Sequence, residues 1–214
     1  TNDPRSVGPA FESDINTHHL IRFMILLTYV KSYLGFELVA PFTVADWLAH
    51  PSQKLRAFTA RAVFEDAVGT VTAIRQQLAW YPHDLWLYLL AAGWTRIAQE
   101  EHLMPRAGYV GDELGSALIG SHLVRDCMSL CFLMERQYAP YAKWFGTAFQ
   151  TLECALTLSP LLWQVQQSVT WQERMAALVE VYQHLAKLHN ELDITTPLDT
   201  TPVQFHDRPF IVLE

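Results

Sequence analysis

Residues 114–134 read LGSALIGSHLVRDCMSLCFLM and are apolar around most of a helical circumference. A helix without a wet face is stable in water only when other elements surround it, so this segment predicts the centre of a bundle. The run is also long enough to raise the question of a membrane span. His122, Arg125 and Asp126 at its middle argue against one, because charges in hydrocarbon are expensive. Just upstream, Trp86, Leu89, Leu90, Gly93, Trp94 and Ile97 recur at helical spacing and predict a second long helix. With 214 residues and 50% hydrophobic composition, the chain can bury a substantial core. The expected fold is mostly α, a multi-helix bundle with a central apolar helix and short strands at its N- and C-terminal ends. Residues 1–19 read as a linker or the remnant of a preceding domain, 20–194 as the helical domain, and 195–214 as an extended C-terminal segment.

Local signals place the other boundaries. The run 20–27, LIRFMILL, is either a buried strand or the first turns of a helix reaching Leu34, with Gly35 as its stop. Thr43, with Asp46 in the first turn, caps a short helix to Ala49, and His50-Pro51 separates it from a helix over 52–64. Gly69 precedes a helix of about ten residues ending near Trp80, an ordinary length. Pro82 opens the long helix, which Pro105 and Gly108 end. Asp112 caps the central helix and Pro140 closes it. A further helix is expected over 141–158, a short one starting at Pro160, and a last one from Thr170 to about Asn190 with Glu173 in the capping-box position. Gly115, Ser116, Ala117, Gly120 and Ser121 sit oddly in a helix, where each glycine costs roughly 1 kcal/mol against alanine. They predict close approach by another helix or by a ligand.

A net charge of −7 with dispersed Lys and Arg leaves no basic patch, which argues against a nucleic-acid partner. Cys127, Cys131 and Cys154 form an odd set without CxxC spacing, as expected of free thiols in a reducing cytoplasm. No signal peptide is evident, because Arg22 interrupts the early apolar run. The expectation is a soluble cytoplasmic protein away from membranes.

Charges embedded in the apolar runs are the candidates for function. His122, Arg125, Ser129, Phe132 and Arg136 follow at three- and four-residue steps on the central helix, with Asp126 beside them. Such a stripe is either a solvated, ion-paired face or a wall that grips phosphate or carboxylate through arginine. Arg96 and Glu100 form an i, i+4 pair; Glu100 is the candidate general base, given a substrate hydroxyl in reach. Asp112 and Glu113 are accounted for by capping and the helix dipole. Lys143, between Tyr141 and Trp144, is either part of an aromatic anchor or a phosphate ligand beside a stacking plane. His184 and His189 stand five apart, and without HExxH or CxxC no metal site is expected.

The stretches DWLAHPSQKL, AVFEDAVG, WYPHDLWLYLLAAGWTRIAQEE, GDELGSALIGSHLVRDCMSLCFLMERQYAPYAKWFGTAF, KLHNELDIT and FHDRPF resemble a bacterial family of unassigned function. The resemblance runs from about Leu20 to Glu214. Members of that family join an N-terminal nucleotidyltransferase-like domain, related to the aminoglycoside- and lincosamide-modifying enzymes, to a helical domain like this one. The superfamily holds metal and triphosphate with a Gly-Ser turn followed by an Asp-x-Asp strand. Here the comparable turn is Gly115-Ser116, followed by Asp126-Cys127-Met128 with no second carboxylate. The resemblance therefore implies a substrate-binding or lid domain, inactive alone, whose Mg²⁺ and nucleoside triphosphate belong to the other half and whose own cofactors are none. By the same analogy Arg96, Glu100, Asp112, Arg125, Arg136 and Lys143 line a cleft for a small hydroxyl-bearing acceptor. The implied partners are the N-terminal nucleotidyltransferase-like domain and that acceptor, with self-association through an exposed docking face. The alternative is a non-catalytic interaction or structural domain, favoured if these charges pair among themselves with no cavity beside them. A third reading, a stand-alone enzyme using Glu100 or Glu101 with His102 or His122, requires a pocket that brings them together.

Overall fold

In the computed structural model, which describes residues 23–35 and 42–213, helix α7 (Glu113–Met134) is the hub. Helices α5 (His83–Glu100), α6 (Leu103–Tyr109), α9 (Ala155–Gln167) and α10 (Trp171–Glu191) pack around it. Leu123, Cys127, Leu130 and Cys131 of α7 are buried in the main core, against Trp86, Leu90 and Ile97 of α5 and Leu178, Val181 and Leu185 of α10. The apolar circumference predicted for this helix is thus largely consumed by neighbours. At Gly93 the α5–α7 crossing is so close that an added Cβ would meet Leu130 Cδ1 at 3.0 Å.

The small residues early in α7 make room for another helix. Arg174 of α10 lies 3% exposed over Gly120, where a Cβ would stand 2.6 Å from its Cδ. Its guanidinium donates to Ser116 Oγ at 2.7 Å, to the Ser168 carbonyl at 2.9 Å and to Glu113 at 3.4 Å. Glu113 also accepts the Trp171 backbone N–H at 3.1 Å, so the starts of α7 and α10 are clamped together. Gly115-Ser116 therefore lies inside a helix, not on a phosphate-binding turn.

A second cluster is built by α1 (Leu26–Leu34), α2 (Val44–Ala49), α3 (Ser52–Thr59) and α4 (Thr70–Gln77). Trp80 and Tyr81 touch both clusters, and Tyr138 stacks its ring edge against Tyr81 at 5.0 Å while its hydroxyl donates to the Leu78 carbonyl at 3.0 Å. Burial pushes the Tyr81 hydroxyl up to about 12.

The caps behave as the residues dictate. Thr43 and Asp46, like Thr170 and Glu173, form full capping boxes, and Asp112 accepts the Gly115 N–H at 2.7 Å. Gly35 ends α1 at φ 88°, a left-handed conformation that glycine adopts freely. Residues 23–25 carry no strand; the part of the 20–27 run before them, and the expected linker over 1–19, lie outside the described residues.

Several boundaries differ from expectation, each for a visible reason. Helix α3 stops at Thr59 instead of residue 64, because Arg75 of α4 takes the Phe58 carbonyl at 2.9 Å and also that of Arg61. Helix α5 ends at Glu100, and Pro105 and Gly108 lie within the separate α6. Pro105 sits in its first turn, where a missing N–H costs nothing, and Gly108 admits the Trp171 ring. Helix α7 ends six residues before Pro140. Arg136 adopts φ 51°, and Arg136 and Gln137 return their N–H groups to the Leu133 and Phe132 carbonyls at 3.2 and 2.8 Å, a Schellman closure with a non-glycine residue. The helix expected over 141–158 is broken into a 3₁₀ turn, the short α8 (Phe145–Phe149) and a turn into α9. The break follows from Glu135, whose carboxylate takes the N–H groups of Glu153 and Cys154 at 2.9 and 2.9 Å and caps α9 from outside. Pro160 lies inside α9, not at a helix start.

After α10, strands β1 (Val203–Gln204) and β2 (Ile211–Val212) pair antiparallel, Val203 opposite Val212. His206 and Asp207 turn the chain at φ 47° and 55°. Buried Phe210 packs edge-on to Tyr109 and Trp171, which docks this hairpin on the helices.

Candidate ligand-binding site

The charges of α5 and α7 pair across the two helices rather than along either one. Arg96 Nε meets Asp126 Oδ1 at 3.2 Å, replacing the expected Arg96–Glu100 pair. Glu100 instead faces His122, with Oε2 3.8 Å from Nδ1, and that oxygen is buried without a hydrogen-bond partner. Glu101 points another way, accepting the Leu213 N–H at 3.2 Å.

The remaining nominated residues are dispersed. Asp112 caps the start of α7 and Arg136 follows its end, about 33 Å away at 1.5 Å per residue. The Arg136 guanidinium lies 4.3 Å over the Trp86 ring, and Lys143 lies 5.0 Å over Trp144. Arg125 is exposed. Phe132, expected on the polar stripe, is 1% exposed in the core, because ten residues of helix carry it round from the face that holds His122. Arg96, Glu100, His122 and Asp126 are the members that the fold brings together, as a self-paired strip. None of the four lines either of two sizeable cavities in the described residues.

One of those cavities, about 610 Å³, lies between α5, the end of α10 and the segment beneath the C-terminal strands. Its walls include Leu90, Trp94 and Leu198, and its polar groups are Thr95, His189, Thr195 and Asp199. The construction is local and legible residue by residue. Asp193, at φ 51°, turns the chain out of α10. Asn190 then brackets Leu198, donating to its carbonyl at 3.0 Å and accepting its N–H at 2.7 Å, so the loop is held over the helix end as though paired with a strand.

Inside this frame runs a directed chain of hydrogen bonds. The Trp94 indole, which can only donate, gives its Nε1 proton to His189 Nδ1 at 3.2 Å. His189 therefore carries its proton on Nε2 and donates to Thr195 Oγ1 at 3.1 Å, and Thr195 donates to the Thr196 carbonyl at 2.9 Å. Burial holds His189 below the usual imidazole range, so the ring is neutral near pH 7. Hydrogen bonds from Thr201 hold Asp199 below the usual carboxylate range, so it is ionised there.

The other cavity, about 640 Å³, lies between α7, α8 and α9. Most of its polar side chains are bonded to protein groups: Gln150 donates to Ser159 at 2.9 Å, and Gln166 accepts from Ser121 at 3.1 Å. The cavity beside His189 is the better recognition site, since it joins apolar walls to a fixed tautomer and an ionised carboxylate. Trp94, His189, Thr195 and Asp199 are not among the residues that sequence reasoning nominated. The available signal is the run HNELDITTPLDTT, rich in Asn, Asp and Thr directly after a helix, where such side chains bind backbone and shape loops.

These elements define a mostly α protein with a small two-stranded appendage and a largely apolar cavity. Residues 47–145, from α2 to the first residue of α8, match a family described as a domain of unknown function (DUF4037). No curated protein and no solved structure matches the chain. The matched segment contains the α5 wall of the pocket, whereas His189, Thr195 and Asp199 lie beyond it.

Proposed function

We propose that this chain is the helical acceptor-binding domain of a nucleotidyltransferase-like protein and that the pocket beside His189 holds a small hydroxyl-bearing molecule. The observation that carries this reading is the directed Trp94–His189–Thr195 chain lining one edge of an otherwise apolar cavity. A ligand hydroxyl there meets the ionised Asp199 as acceptor, and the Trp94 ring offers an apolar plane. Among the described residues no group of three or more His, Cys, Asp or Glu side chains forms a metal site. In this reading Mg²⁺ and the nucleoside triphosphate belong to a companion domain, and the helical domain orients the acceptor.

The test is calorimetric titration of monosaccharides, nucleosides and hydroxylated amines into wild-type protein and the Trp94→Ala and Thr195→Val variants. At least one compound is expected to bind wild type and to lose tenfold or more of its affinity, about 1.4 kcal/mol, in both variants. Binding that ignores both substitutions, or no binding at all, overturns the assignment. Triphosphate with Mg²⁺ is expected to release no heat on this chain alone; a binding isotherm would move the nucleotide onto these helices.

The rival reading, a non-catalytic interaction domain, is favoured by the self-pairing of Arg96, Glu100, His122 and Asp126 away from both cavities described above. Exposed Phe23, Ile25 and Leu27 give such a domain an apolar contact surface.

A further inference from the structure

The three thiols are not equivalent. Cys127 is sealed in the core at 0% exposure, whereas Cys131 and Cys154 share the wall of a smaller cavity of about 270 Å³ with Glu135. Cys131 precedes Glu135 by one turn of α7. Glu135 grips the backbone N–H groups of Glu153 and Cys154 at 2.9 and 2.9 Å, so the start of α9 is held beside that turn. Cys131 and Cys154 thereby face the same small cavity, beside the Glu135 carboxylate.

We propose that Cys131 and Cys154 are a peroxide-oxidisable dithiol that closes reversibly to a disulfide joining α7 to α9. The cavity admits a small hydroperoxide, a water molecule occupying only about 30 Å³ of liquid. The Cys131 sulfur attacks one peroxide oxygen, the O–O bond breaks, and one water leaves as the sulfenic acid forms. The Cys154 sulfur then attacks the sulfenic sulfur and a second water leaves. Two thiols and one hydrogen peroxide thus become one disulfide and two waters, with sulfur oxidised and peroxide oxygen reduced.

Glu135 serves the second step. Its carboxylate, on the same cavity wall, takes the Cys154 proton and passes it to the departing hydroxide. Interaction with Cys131 and burial raise the Cys154 thiol above its ordinary value. The closed bridge would staple the helices that flank the larger α7–α8–α9 cavity.

The test treats the folded full chain with hydrogen peroxide, traps remaining thiols with maleimide in denaturant, and reads intact and peptide masses. Accessible thiols are expected to fall from three to one, with a linked pair of peptides containing Cys131 and Cys154, and to return to three with dithiothreitol. The Cys127→Ser variant is expected to form the same bridge, and Cys154→Ser to give oxygen adducts on Cys131 in its place. Retention of all three thiols at peroxide levels that oxidise free glutathione overturns the proposal. So does a bridge that includes Cys127 or joins two chains.

Discussion

Two sets of charges meet helix α7, and solvent treats them in opposite ways. At the start of the helix, Arg174 is sealed between Glu113, Ser116 and the Ser168 carbonyl with its side chain 4% exposed. One to three turns on, Arg96 and Asp126 make a similar contact with their side chains 52% and 23% exposed, beside the Glu100–His122 pair. The buried guanidinium has no water to fall back on, so its partners are obligatory, while the exposed one trades a carboxylate for solvent at little cost. Charge inside an apolar run therefore marks a packing solution at one end of α7 and a wet seam further along. The cavity with recognition chemistry lies elsewhere, around a histidine with no charge.

The sharpest break of this contrast is Arg174→Ala, which leaves the buried Ser116 hydroxyl without its partner and is expected to cost about 1–3 kcal/mol in urea denaturation. A cost below about 1 kcal/mol would mean that the clamp is no stronger than a surface pair. Next comes His189. Its folded-state pKa is lowered, so the unfolded chain binds the proton first as pH falls. Stability is expected to be level above the ordinary imidazole value of about 6.5 and to decline below it until the folded-state value is reached. In His189→Gln that part of the decline disappears; an unchanged pH profile would sink the neutral-tautomer assignment. The smallest effect belongs to Arg96→Ala, about 0–1 kcal/mol and fading further at high salt. A larger, salt-insensitive loss would show that the pair is shielded from water in solution, contrary to its exposure here.

Much of the fold was legible because its signals are short-range. The Thr43–Asp46 and Thr170–Glu173 boxes, the Asp112 cap and the Gly35 stop each involve residues within five positions, and each is found where the pattern puts it. The misplaced boundaries involve distant partners: Glu135 capping α9 across 18 and 19 positions, and Arg75 ending α3 across 17. The stripe from His122 to Arg136 was legible as a spacing, yet helical drift carried Phe132 into the core. The pocket was not legible, since Trp94 and His189 meet across 95 positions.

By itself the sequence determined the helical class, the central place of residues 114–134 and most helix starts, because apolar periodicity and capping act within a turn or two. The tertiary structure alone decided that Arg96 turns to Asp126, that Gly120 faces Arg174, and that an indole and an imidazole share a proton at the edge of a cavity. Those outcomes depend on which helix faces meet, and packing of the whole chain selects them.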